Sequence, residues 1–337
     1  MANEIEKLNT IEIADIEKVN TLTDDNIENI NTFEFTGSIT YTFLGTRGIL
    51  GGGQGNAYTN VIQYKLIGSD GNSSDFADLT ATRNSGTGSS NVTRGILTGG
   101  TEHNGSPTYG TTSSDYITVG NASAGVADAG DLDQGTSGMS SGSNGTLMFV
   151  MGGYVGSSDS YIANMQYFTI DTTNGSTQAG DLNEGATGSP AASSGFTRSL
   201  IALGYVGGLS DTVEYHAFHT SNNAADFHNL TAARNKIAAF EDNTRVIFAG
   251  GYEGSGDVDT MEYFTIASAA TAQDAGNLVG GGRREHGANS NGTLGEIYGG
   301  EAGGTIVNII EKKVIQSTAN SIDVGDLTTA GLTGGAT

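Results

Sequence analysis

The chain has 337 residues, with 53 glycines, two prolines and neither cysteine nor tryptophan. Its formal net charge of −23 repels phosphate backbones, so we expect no nucleic-acid partner. Without cysteine the chain has no disulfide framework, no thiol chemistry and no cysteine-based metal site.

The first 37 residues carry an 11-residue repeat. Charged residues run through the opening MANEIEKLNTIEIADIEKVN, which is the pattern of neither a signal peptide nor a membrane anchor, so we expect no membrane insertion. In residues 5–37 an isoleucine heads each unit and an asparagine follows four residues later, at Ile5, Asn9, Ile16, Asn20, Ile27 and Asn31. Each unit is predicted to form one helical turn and then a short extended piece (TIEI, TLT or TFEF). Units of this length cannot bury their own apolar face, so they must stack on one another or on another chain.

The units IEKLN, IEKVN and IENIN resemble the Ile-x-Lys-x-Asn repeats at the N-termini of phage virion proteins, notably those of marine, cyanophage-like phages. The resemblance covers only this short part of the chain. It implies that residues 1–37 attach the protein to other virion proteins or hold several copies together as a homo-oligomer.

A larger repeat follows residue 37 and recurs six times, its opening threonines 47 (Thr46 to Thr93) to 53 (Thr93 to Thr146) residues apart. Each copy opens with an apolar run ending in glycine: TRGILGGG, TRGILTGG, TLMFVMGGY, TRSLIALGY, TRVIFAGGY and TLGEIYGG. A second run is centred on Tyr64, Tyr116, Tyr167, Tyr215 and Tyr263, with Ile310 in the sixth place. A leucine comes 15 or 16 residues after each tyrosine, and a stretch of small residues leads into the next threonine.

Each copy thus predicts four short strands, and its length is that of a propeller blade. The small residues suit the innermost strand, which lines a narrow channel. The apolar run suits a second strand buried on both faces, and the aromatic residue and the leucine fill the space between blades. We therefore predict an all-β chain, with a six-bladed β-propeller of four-stranded blades over residues 38–337 behind the N-terminal segment 1–37.

The repeats resemble kelch motifs. The resemblance depends on the downstream tyrosine and on diglycines after the apolar strand, at Gly52–Gly53, Gly99–Gly100, Gly152–Gly153, Gly250–Gly251 and Gly299–Gly300. Copy four departs with a single Gly204 before Tyr205, and the kelch tryptophan is replaced by Phe76, Phe227 or a small residue. The phrases DFADLTATRNSGTGSSNVTRGILTGG and ADFHNLTAARN are also similar to degenerate kelch-like repeats of marine phage structural proteins.

The two ends of the repeat region predict how the ring closes. The final stretch GDLTTAGLTGGAT begins another small-residue strand and stops before a seventh apolar run. Residues 331–337 are therefore predicted to form the innermost strand of the first blade, which removes an exposed sheet edge. The alternative is that Ser38–Phe43 supplies this strand.

Two groups of residues were considered as metal sites. His216 and His219 point to opposite faces of a strand because their separation is odd, and with His228 they are more simply ordinary strand and turn histidines. In GSDGNSSD, the residues Asp70, Asn72 and Asp75 have spacings similar to a calcium loop. A polar hairpin explains that slot without an ion, because every copy places a turn there. We expect no cofactor, with calcium as the alternative.

Four arginines stand out because the chain has only 14 basic residues: Arg83, Arg234, Arg283 and Arg284. Pairing with acids of neighbouring blades is the favoured interpretation, and anion capture at the channel mouth is the alternative. The loop after the diglycine varies most in length and is longest at 101–114. Variation confined to one loop class marks a face that is free to change. His103 and Tyr109 in this loop are the candidate binding residues.

No enzyme is expected. A galactose-oxidase-like copper site needs cysteine and a sialidase-type aspartate box needs tryptophan, and the sequence has neither a GxSxG motif nor a P-loop. The favoured hypothesis is a phage virion structural protein (tail fibre, head fibre or decoration), assembled in the host cytoplasm, that displays its propeller to a host-surface glycan or protein. The alternatives are an intracellular kelch-type scaffold that binds a protein partner, or a glycan-binding, lectin-like module.

Overall fold

The computed structural model describes residues 46–55, 57–103, 107–184, 191–194, 197–218 and 222–333, together with six two-residue strands nearer the N-terminus. The chain separates into two compact units, Met1–Thr42 and Phe43–Thr337. This boundary lies slightly later than the predicted one after Gly37.

The second unit contains six blades, each a four-stranded antiparallel sheet. The first strand of blades 2 to 6 comes from the end of the preceding copy of the repeat, and that of blade 1 from the end of the sixth copy. In order from first to fourth strand, they are Leu332–Thr333, Arg47–Gln54, Tyr58–Leu66 and Ser74–Asp78 in blade 1; Thr87–Ser90, Arg94–Thr98, Ser114–Thr118 and Val126–Asp128 in blade 2; Ser140–Ser143, Leu147–Met151, Asn164–Thr169 and Thr177–Asp181 in blade 3; Ala191–Ser194, Arg198–Ala202, Thr212–Ala217 and Ala225–Asn229 in blade 4; Ala238–Glu241, Arg245–Ala249, Thr260–Thr265 and Gln273–Asn277 in blade 5; and Gly287–Ser290, Leu294–Tyr298, Ile309–Val314 and Ile322–Asp326 in blade 6.

The blades form a six-bladed, kelch-like β-propeller, as predicted. The first strands of blades 2 to 6 contact one another in order, and that of blade 6 contacts the second strand of blade 1. First strands therefore lie innermost, where small residues such as those of Thr87–Ser90 let the chains approach closely. Within the described ranges, no helix has the length and apolar character needed to cross a membrane.

The diglycines directly follow the second strands of blades 2, 3, 5 and 6, and that of blade 1 lies at a bulge within Arg47–Gln54. The backbone there has a conformation that other residues avoid. Gly250 has a φ of 61° and Gly251 a φ of 109°. A Cβ atom on Gly250 would lie 2.6 Å from the Arg283 carbonyl oxygen, so there is also no space for a side chain. In copy four, Leu203 takes the first place and Gly204, with a φ of 75°, the second.

The core consists of apolar clusters between neighbouring blades. The largest joins blades 4 and 5, where Phe227 and Leu230 pack against Phe248 and Phe264. All six predicted leucines are buried, and burying each contributes about 1.5–3 kcal/mol: Leu79, Leu132, Leu182, Leu230, Leu278 and Leu327. The phenylalanines near the place of the kelch tryptophan, Phe76 and Phe227, are buried in the same clusters.

The prediction that Ile310 takes the tyrosine place of the sixth copy was wrong. Strand pairing sets Lys312 opposite Glu296, as Tyr263 is set opposite Ile247 in blade 5. In four blades an arginine at the start of the second strand lies 3.5 to 5.1 Å from the centroid of that tyrosine ring. Blade 6 has Leu294 in place of this arginine, so both members of the cation–π pair have changed together.

The two ends of the propeller meet in blade 1. Leu332 and Thr333 pair with Gln54 and Gly53 of the second strand; residues 334–337 and the alternative strand Ser38–Phe43 lie outside the described residues. The interface between blades 6 and 1 combines an apolar cluster with buried polar groups. It buries the Lys65–Glu296 ion pair at 3.6 Å.

Tyr298 fits this closing interface only because residue 48 is glycine. The Tyr298 hydroxyl donates to Glu296 Oε2 at 3.0 Å, and burial raises its pKa well above the ordinary value. A Cβ atom on Gly48 would lie 2.1 Å from the Tyr298 hydroxyl oxygen. The first and sixth blades therefore pack against each other through a specific polar contact.

The N-terminal unit contains three short antiparallel hairpins, one for each 11-residue repeat. Their strands are Lys7–Leu8 with Ile11–Glu12, Lys18–Val19 with Leu22–Thr23, and Asn29–Ile30 with Phe33–Glu34. The extended pieces are confirmed, but the helical turns were wrong for Lys7–Leu8, Lys18–Val19 and Asn29–Ile30. Asparagine and threonine are poor helix formers and favour turns over helix continuation. The predicted attachment residues Ile5, Asn9, Ile16, Asn20, Ile27 and Asn31 lie outside the described residues.

Candidate binding face

One face of the ring carries all the loops that follow the glycine-terminated second strands. We call it the diglycine face; the connections from each fourth strand to the next blade also run along it. Short hairpins rise there at Thr101–His103 with Pro107–Tyr109, at Tyr154–Val155 with Ser160–Tyr161, and at Glu301–Ala302 with Thr305–Ile306.

Aromatic side chains of blades 1 to 4 line up on this face. Tyr58 of blade 1 stacks on His103 of blade 2, with ring centroids 3.4 Å apart. On the same blade 2 hairpin, Tyr109 meets Tyr154 of blade 3 at 6.2 Å. Ring contacts continue to the next two tyrosines, at 5.4 and 5.7 Å. We call this set the aromatic row: Tyr58, His103, Tyr109, Tyr154, Tyr161 and Tyr205.

Half of the row is open to solvent. Tyr109 is 54% exposed, Tyr161 43% and Tyr58 40%. The sequence-based choice of His103 and Tyr109 therefore selected two neighbouring members, one reaching towards blade 1 and the other towards blade 3. Tyr58, Tyr154, Tyr161 and Tyr205 were missed, although tyrosines directly after the glycines of copies three and four were a signal.

Glycines and hydrogen bonds hold the row in place. A Cβ atom on Gly156 would lie 2.5 Å from the Cβ of Tyr109, so glycine lets the hairpins of blades 2 and 3 touch. The Tyr154 hydroxyl donates to Asp159 Oδ1 at 2.7 Å, and this bond raises the pKa of Tyr154. Asn84 Oδ1 lies 3.1 Å from His103 Nε2, and partial burial lowers the pKa of His103. The imidazole is therefore neutral at pH 7.

On the half of the diglycine face that belongs to blades 5 and 6, ion pairs hold the loops together instead. Arg284 Nη1 lies 3.0 Å from Asp257 Oδ1, and the same guanidinium binds Glu301. Tyr252, which occupies the place of Tyr154 and Tyr205 in its own blade, lies beneath Arg284 with the guanidinium 5.0 Å from the ring centroid. The fold therefore does not require aromatic contacts to hold neighbouring hairpins together.

Below the face, three buried arginines pair with buried carboxylates. Arg83 binds Asp115 at 2.8 Å, Arg234 binds Glu262 at 2.7 Å and Arg283 binds Glu311 at 3.3 Å. Each pair joins the connection leaving one blade to the third strand of the next blade. The favoured interpretation of these arginines is confirmed, and they are structural.

The carboxylates belong to a six-fold set that sequence reasoning missed. The residue before each tyrosine place is polar and buried, and in every blade it accepts a backbone N–H from the connection leaving the previous blade. Thr231 N donates to Glu262 Oε1 at 3.1 Å, for example, and Thr328 N to Gln63 Oε1 at 2.9 Å. We call these the linker-capping residues: Gln63, Asp115, Gln166, Glu214, Glu262 and Glu311. The recurring QY, DY and EY dipeptides were the signal.

The residues considered for metal binding have other surroundings. Asp70 forms an ion pair with Lys312 at 2.9 Å, and Asn72 Oδ1 accepts the Asp326 N–H at 3.0 Å. His216 is buried with its ring centroid 4.6 Å from that of Phe149, and His219 lies outside the described residues. In the part of the chain that the structure describes, no three His, Asp or Glu residues are grouped as a metal site would require.

Fold and face together define a class of protein, the six-bladed kelch-like β-propeller with an elaborated loop face. The solved structure of YjhT is similar, with a TM-score of 0.66 and 14% identity, over 83% of this chain and 94% of that one. At this identity the likeness shows the fold alone. No family model and no curated protein matches the sequence.

Proposed function

We propose that the protein is a non-enzymatic structural protein of a phage virion that binds its target through the diglycine face. The aromatic row carries this proposal. Tyrosine offers a large contact area at low conformational cost, and here three of these side chains stay exposed on a rigid ring.

The N-terminal repeats support the placement on a virion. Each hairpin has two residues per strand, too few to stabilise an isolated hairpin, and the repeated pattern suits stacking of many such units. Residues 1–37 attach the propeller to other virion proteins or gather several copies, and the ring is displayed to the host surface.

Deleting residues 1–37 tests the attachment role. Particles reconstituted with the truncated chain should lose the protein, whereas the truncated propeller alone should remain folded by circular dichroism. Equal incorporation of truncated and full-length chains would contradict the proposal.

Host binding is tested separately with the full-length protein. Fluorescently labelled protein should adsorb to host cells, and Tyr109→Ala with Tyr161→Ala should reduce adsorption. A protein that stays off every particle and instead captures one cytoplasmic partner through the same residues would point to the intracellular scaffold.

A further inference from the structure

We propose that the aromatic row binds an uncharged glycan chain. This inference rests on the proposed function and names the chemistry of its target. The row runs from blade 1 to blade 4, so it fits an extended ligand of several sugar rings lying across the hairpins.

The surface of the row matches the chemistry of a sugar. A pyranose ring has C–H groups on its faces and hydroxyls around its rim, and a tyrosine similarly joins an apolar ring to a polar tip. Carboxylate and hydroxyl groups stand beside the rings: Asp159 accepts from Tyr154, and the hydroxyls of Ser158 and Ser160 lie in the same turn, 2.6 Å apart.

A protein partner fits this surface less well. Hot spots between proteins lie in well-packed, desolvated pockets, and Val155, the aliphatic neighbour of Tyr154 on the hairpin, is already buried at 7% exposure and does not line such a pocket. Among the exposed aliphatic residues, Leu66, Val92, Val314 and Ile322 lie on the opposite face of the ring. Val279, in the connection leaving blade 5, is on the diglycine face but outside the row.

Charge distinguishes between types of glycan. The formal net charge of −23 disfavours sulfated, phosphorylated or uronic-acid polymers, since like charges repel over about 10 Å at moderate salt. Neutral hexose or N-acetylhexosamine chains carry no such penalty.

Binding of full-length protein to an array of neutral and anionic oligosaccharides tests the inference. We expect binding to neutral hexasaccharides that is stronger than to their disaccharides and absent for heparin and hyaluronan fragments. Titration calorimetry on the best neutral hexasaccharide should show a loss of about tenfold in affinity for Tyr161→Ala or Tyr109→Ala. Tyr161→Phe should retain most of the affinity.

Tyr252→Ala is the control, because Tyr252 is a tyrosine of the same face, in the place of Tyr154, but lies under Arg284 outside the row. Its affinity should stay within twofold, and thermal unfolding should show that each variant is folded. The inference is overturned if no neutral glycan binds, or if Tyr252→Ala and Tyr161→Ala weaken binding equally. A different result would overturn the glycan inference but leave the proposed function standing. In that case adsorption to cells would still need Tyr161, but protease treatment of the cells would abolish it and added neutral glycans would not.

Discussion

The buried pair of Arg234 and Glu262 makes the sharpest prediction about stability. Arg234 is fully buried, Glu262 is 2% exposed and their charged atoms lie 2.7 Å apart. Arg234→Met removes the cation but keeps most of the side-chain volume, so Glu262 is left charged and buried. Breaking a buried ion pair in this way costs about 3–5 kcal/mol, and Glu262→Gln should have a similar effect by leaving Arg234 alone.

The double variant should be more stable than either single variant. The other blades support this expectation: Thr136 takes the arginine place before blade 3, where the linker-capping residue is the neutral Gln166. Gln166 still accepts the Gln134 N–H at 3.2 Å. Charge is therefore dispensable at this position when both partners lose it together. We expect a coupling energy of about 2–3 kcal/mol between the two substitutions.

Urea unfolding followed by circular dichroism would measure the four members of this cycle. The control is Lys312→Met, which breaks the Lys312–Asp70 pair, where Asp70 is 78% exposed; it should cost less than about 1 kcal/mol. Additive effects of Arg234→Met and Glu262→Gln would refute the reasoning, as would a cost of Arg234→Met no larger than that of the control.

Substitutions at two further interfaces test the packing between blades. Burial raises the pKa of Glu214 above its ordinary 4.5, so the folded state binds the extra proton and stability falls as pH rises from 4.5 through the folded value. The melting temperature of Glu214→Gln relative to wild type should therefore increase between pH 4.5 and pH 7; a constant difference would contradict this. Gly48→Ala should cost at least about 1–3 kcal/mol in thermal unfolding, because its Cβ meets the Tyr298 hydroxyl. Adding Tyr298→Phe should recover part of that loss, and no recovery would show that the clash lies elsewhere.

The fold could be predicted because it depends on features that sequence shows directly. Apolar second strands, glycine pairs and the buried leucines recur at nearly constant spacing, and each has a local physical reason. The leucine that Leu230 represents is buried in every copy of the repeat, so one sequence pattern predicts all six blades. Short hydrophobic runs also predicted the extended pieces of the N-terminal units.

The polar residues and the loop contacts could not be predicted in the same way. Ile310 is apolar and was therefore aligned with tyrosines, but strand register places Lys312 there. The row could not be assembled from sequence either, because Tyr58 and His103 come from different blades and meet only through the ring. The hairpin loops also differ in length between copies, so the positions of these aromatic residues cannot be aligned from the sequence.

The contrast between the interior and the diglycine face supports a binding role for the face. Inside the ring some changes are paired, as Gln166 with Thr136 and Leu294 with Lys312, whereas Leu147 takes the arginine place of blade 3 with Tyr167 retained. On the face, ion pairs around Arg284 hold the hairpins of blades 5 and 6 together. Blades 1 to 3 instead place large aromatic rings in solvent, at Tyr58, Tyr109 and Tyr161. Exposing these rings gives the folded chain little stability, since much of their surface stays wet. Their alignment along one face is therefore better explained by a ligand that covers them.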